Sequence, residues 1–158
     1  MNILNIGRWN LKCDREATRA AYAGVSQGSP ESCGCEHCLN FVASRTHAYP
    51  SEALAIFQLL GIGSRKEAEI WYTHRDESGL HHYGGFFHFI GFIESGRDAK
   101  QMMAEGVGTF DLESIGDYFE YGFTSDAALI PESFAGKEIV QLEFQTKVPW
   151  VLNTPAPD

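Results

Sequence analysis

The sequence predicts an α+β domain in which N-terminal helices pack on one face of a mainly antiparallel, bent sheet. Three features carry that expectation. In the first part of the chain apolar residues recur at three- and four-residue steps, as Ala53, Leu54, Ile56, Phe57 and Leu60 do. In the second part the pattern turns to alternation: Phe119, Tyr121 and Phe123 interleave with Tyr118, Glu120 and Gly122, and Val140, Leu142, Phe144, Thr146 and Val148 with Gln141, Glu143, Gln145 and Lys147. Gly84, Gly85 and Gly91 interrupt another expected strand, which suits a bulge or a close backbone approach and would bend the sheet.

The elements follow in order. Ile3, Asn5 and Gly7 alternate with Leu4, Ile6 and Arg8, which predicts one short strand over 3–12 that delivers Cys13 near its end. Asp14 offers an N-cap to a helix over 15–25, in which Ala17, Ala20, Ala21 and Gly24 keep helical spacing. Gln27-Gly28-Ser29-Pro30 ends it in a loop. A second helix runs from Glu36 to about His47, with Cys35 at its start and Cys38, Phe41, Val42 and Arg45 at helical steps. A third follows Pro50-Ser51-Glu52 and stops at Gly61, and the capping-box spacing of Ser64 and Glu67 predicts one more turn. Residues 69–75 and 80–93 then form a hairpin around Asp76-Glu77-Ser78-Gly79, and a loop or short helix covers 97–108. Residues 1–152 read as one globular domain and 153–158, with two prolines, as a flexible tail.

Composition narrows the function classes. The 158 residues carry 12 Lys and Arg against 21 Asp and Glu, a net charge of −9 without a basic cluster, which disfavours nucleic acid and anionic membrane as partners. An apolar fraction of 44% with 13% aromatics supports a filled core rather than disorder. The N-terminal residues lack the basic head and apolar stretch of a signal peptide, and no run is long enough to span a bilayer, so a cytoplasmic protein is expected. In a reducing compartment crowded cysteines point to metal or catalysis before disulfides.

That crowding is the chemical focus of the chain. Ser32-Cys33-Gly34-Cys35-Glu36-His37-Cys38 holds three of the four cysteines, and Cys35 and Cys38 have the C-x-x-C step of a zinc knuckle. The expected metal set is Cys13, Cys33, Cys35 and Cys38, four thiolates around a structural zinc ion, with Gly34 allowing the tight bend. His37 is too close along the backbone to serve beside both neighbours, so His47 or a hairpin histidine would replace Cys13 if Cys13 points elsewhere. The second chemistry is a thiol-dependent enzyme in which the helix dipole and His37 lower the Cys35 thiol pKa, with Cys38 as its partner. The third is inert packing of small hydrophobic thiols.

A separate candidate is histidine-based. With residues 76–79 as the turn, Arg75 faces Leu80 and His74 faces His81, with His82 adjacent and His88 further along, a group suited to a metal-dependent enzyme. Solvated hairpin histidines and a core His88 are the simpler account. Asp111, Glu113 and Asp117 read as a solvated acidic patch. Gly61-Ile62-Gly63 and Gly106-Val107-Gly108 lack the lysine and setting of a phosphate loop and read as turns. The leading expectation is a protein whose zinc ion fixes the loop between helices and supports a binding surface for a small molecule or protein. A metal-free interaction module is the remaining alternative, and the long strands are compatible with a homodimer.

Overall fold

The computed structural model describes residues 1–103 and 106–157. The α+β class is as the periodicities indicate. Strands β1 (Asn2–Ile6) and β2 (Trp9–Cys13) lead into helices α1 (Arg15–Ala23), α2 (Ser29–Cys33), α3 (Glu36–Ala48) and α4 (Ser51–Leu60). Strands β3 (Glu69–Arg75), β4 (His81–Ser95), β5 (Lys100–Met102), β6 (Gly108–Phe110), β7 (Glu113–Ile115), β8 (Phe119–Thr124) and β9 (Ile139–Val148) follow. Among the described residues the main sheet has seven strands in the order β1-β2-β4-β9-β8-β7, with β3 also on β4, and every pairing is antiparallel.

The first strand expected over 3–12 is two strands folded back at Gly7 and Arg8, with Ile6 opposite Trp9. Ser29 and Pro30, expected in a loop, instead open the short helix α2, where Pro30 sits in the first turn and its missing N–H costs nothing. The expected extra turn is present at Ser64 and Arg65, closed by Lys66 N donating to Gly63 O at 2.9 Å, but Glu67 turns inward to an ion pair instead of capping. The predicted loop or helix over 97–108 contains β5 and the start of β6, while residues 104–105 lie outside those described.

β4 organises the sheet. Its first half pairs with β3 and its second half with β2 along one edge, while β9 runs along the other. Between those partners α1 supplies the missing hydrogen bonds. His88 N donates to Tyr22 Oη at 3.0 Å, Ile90 N donates to Thr18 Oγ1 at 2.9 Å, and Asp14 N donates to Ile90 O at 2.9 Å. At Gly91 a Cβ would stand 1.9 Å from Lys12 O, so only glycine permits this crossing from one partner to the next.

The sheet also rolls up. Arg8, in the turn at one end of the strand order, donates its N–H to Glu113 Oε2 of β7 at 3.1 Å, and Trp9 packs edge-on to Phe123 of β8 at 5.2 Å. The core fills the space between this curved sheet and the helices. Tyr49, after α3, lies among the rings of Phe41, Phe57, Phe87, Phe119 and Phe144, at centroid distances from 5.1 to 6.3 Å.

Candidate metal centre

The cysteines divide three to one. Sγ atoms of Cys33, Cys35 and Cys38 all lie within 4.8 Å of one another, and among the described residues no fourth His, Cys, Asp or Glu donor joins them. Their positions follow from a break between two helices. Cys33 is the last residue of α2, Gly34 takes a left-handed conformation with φ 68°, and Cys35 is the N-cap of α3. A residue with a Cβ pays for that φ, so glycine sets the reversal that turns Cys33 back over the start of α3. Cys35 Sγ accepts from Cys38 N at 3.4 Å, the N–H to sulfur bond of a C-x-x-C turn.

Electrostatics separates the two ends of this step. The N–H groups at the start of α3, that of Cys38 first, hold the Cys35 thiol below its ordinary pKa while it stays exposed. Burial pushes Cys38 well up, and the neighbouring sulfurs add to that. The expected depression at Cys35 is therefore present, with backbone donors as its cause.

A network behind the loop holds α2 in place. Arg45 of α3 donates to Glu67 through Nη2 at 2.7 Å and Nε at 3.1 Å, and to Glu31 of α2 through Nη2 at 2.8 Å and Nη1 at 3.1 Å. Tyr49 Oη adds a 2.7 Å bond to Glu67, which is 1% exposed. Burial raises the Glu31 pKa, but the Arg45 bonds outweigh it and leave that carboxyl below its ordinary value. This network was not anticipated, although Arg45 shares a helical stripe with Cys38 and Phe41. A cation on an apolar stripe requires a buried acid.

Cys13 does not belong to the cluster. It alternates with Trp9 and Leu11 on the inner face of β2, all three fully buried, and its Sγ donates to Leu60 O at 3.5 Å. Burial, with Asp14 next, lifts its pKa to about 11. The alternation Trp9, Leu11, Cys13 already marks it as a core residue. His37 does not replace it: the ring stacks on Tyr72 at 3.7 Å and meets Trp150 edge-on at 5.9 Å.

The hairpin histidines are dispersed. The turn closes between Asp76 and Leu80, with Asp76 N donating to Leu80 O at 2.9 Å, and a register shift follows between Tyr72 and His74. Arg75 thus faces His81, and His74 faces and stacks on His82 at 4.1 Å, rather than pairing with His81. His82 bonds Asp76 at 2.8 Å, buried His81 bonds Tyr72 Oη through Nδ1 at 3.0 Å, and His88 bonds Ala128 O at 2.8 Å in the core. Burial lowers the pKa of both His81 and His88. Each ring is engaged locally and no common centre forms among the described residues. Of the supposed acidic patch, Asp111 and Glu113 pair with Arg8.

No protein family model, curated protein or solved structure matches the chain. Among the described residues no helix is long and apolar enough to cross a membrane.

Proposed function

We propose that Cys33, Cys35 and Cys38 bind one zinc ion as thiolates, leaving a tetrahedral position for a donor from outside this chain. The observation that carries this reading is the convergence of three sulfurs within 4.8 Å on a surface loop. Sulfurs about 2.3 Å from a zinc ion stand about 3.8 Å apart, so a contraction of at most about 1 Å in any pair closes the set. Three thiolates suit a soft ion, and α3 aims its N–H groups at the resulting negative charge. The ion ties α2 to α3. With three protein ligands it also offers an exchangeable position, unlike a closed structural site.

The test is elemental analysis with competition. Purified protein carries about one equivalent of zinc, a chelator lowers its melting temperature, and Cys13→Ala keeps the ion while Cys35→Ser and Cys38→Ser lose it. Metal-free protein whose stability ignores added zinc overturns the reading.

The asymmetry between exposed Cys35 and buried Cys38 supports a second reading, a dithiol that reduces disulfides. Cys35 thiolate attacks a substrate disulfide and expels one substrate thiolate. Cys38 then loses its proton and attacks Cys35, releasing the second thiolate and leaving a Cys35–Cys38 disulfide. Zinc-free protein whose Cys35 is alkylated no faster than free cysteine rules this out.

A further inference from the structure

We propose a second site, independent of the cysteines: the cleft between α1, α4 and the 61–66 loop binds a small organic anion with an apolar body. The cleft has a volume of about 600 Å³, in the range of small-molecule pockets. Buried Tyr22, Phe57 and Ile62 form its inner wall, and Arg15, Arg19 and Lys66 stand around it without a single lining carboxylate. In a chain with 21 acids and 12 Lys and Arg, three cations sharing one cleft free of acids are a local inversion of the overall charge. Screening over about 8 Å at physiological salt leaves these nearby charges, not the net −9, to set the potential inside.

Two of the cations are held ready. Arg15 Nε donates to Gln58 O at 2.8 Å and Lys66 Nζ to Tyr22 O at 2.7 Å. Each bond engages one donor of a group that has five or three, so the remaining N–H groups are positioned yet available. Compensation of carbonyls in the last turns of α4 and α1 accounts for these two. It does not account for Arg19, which donates to no protein acceptor among the described residues and whose stem lies against Gly61, with Cγ 3.1 Å from where a Cβ would stand. The glycines at 61 and 63 keep that wall flat: a Cβ at Gly61 would meet Arg15 O at 2.5 Å, and one at Gly63 would meet Tyr22 at 3.2 Å. A carboxylate, sulfate or phosphate head among the three cations, with a hydrocarbon or aromatic body on Tyr22 and Phe57, satisfies both halves of the cleft.

The test uses the full chain and 8-anilinonaphthalene-1-sulfonate as fluorescent probe. Binding of one equivalent is expected, with displacement by octanoate or octyl phosphate and none by decyltrimethylammonium; which of the two anions competes better identifies the head group. Arg19→Gln and Lys66→Gln each weaken the probe about 3- to 10-fold, and raising salt from about 20 to 200 mM weakens it further. Leu54→Glu, at an exposed rim position, places a carboxylate in the cleft and abolishes binding with the melting temperature unchanged. Equal displacement by the cationic amphiphile, or probe binding indifferent to Arg19→Gln and Leu54→Glu, overturns the proposal.

Discussion

The cysteine loop and the histidine hairpin both gather metal-ligand side chains within a few residues, and they end differently. In the loop three donors converge because the backbone between them is short and its one reversal is fixed by Gly34. In the hairpin the donors sit on a strand whose partners depend on a turn, and each ring finds its own neighbour: Asp76 for His82, Tyr72 for His81, Ala128 for His88. Local covalent geometry assembles a site more dependably than cross-strand register, which one residue of turn length can displace.

The widest break in that comparison comes from removing what braces the loop. Arg45→Met leaves the buried Glu67 carboxylate unpaired and releases Glu31, with an expected loss of about 3 to 5 kcal/mol in urea unfolding. The same variant should bind zinc more weakly, because α2 no longer holds Cys33 in position. Next in size is the thiolate set itself. Cys38→Ser should cost at least about 100-fold in zinc affinity by competition titration, whereas His74→Gln with His82→Gln should leave that affinity unchanged. Equal losses from the two would erase the distinction between the regions.

Acid should separate the regions by pH. His81 has a folded pKa below its ordinary 6.5, so its contribution is present above that value and is lost as pH falls through the lowered one. Glu31 is likewise depressed, from 4.5, so its contribution is intact at pH 6 and is lost only on further acidification. Buried His88 is depressed in the same way and adds to the first loss, whereas burial raises Glu143 to about 7, so its protonation stabilises the fold over the same descent and offsets part of that loss. By melting temperature against pH, His81→Gln reduces the first acid loss, leaving the His88 part, Glu143→Gln removes the gain that offsets it, and Glu31→Gln blunts the later loss. The smallest effect is expected at Tyr72→Phe, which deletes the bond to His81 Nδ1 and keeps the stack on His37, for about 1 kcal/mol and no change in zinc affinity.

What the residues disclosed in advance follows the same division. The α3 and α4 helices, β9 and the C-x-C-x-x-C group were legible because each depends on periodicity or spacing inside one short segment. Cys13 was assigned to the metal set on chemistry alone, although its alternation with Trp9 and Leu11 placed it in the core. The hairpin register was missed because Asp76 binds Ser78 N and Leu80 N through its side chain, which lengthens the turn beyond the four polar residues that mark it. The Glu31, Arg45 and Glu67 network spans 36 positions and became visible only in three dimensions.

The clasp formed by Tyr22 and Thr18 on β4 bears on how the protein opens. The amide hydrogens of His88 and Ile90 sit on a central strand yet are bonded to side-chain hydroxyls of a nine-residue helix rather than to a neighbouring strand. Their deuterium exchange is therefore governed by detachment of α1, while those of β4 amides facing β9 await separation of the sheet.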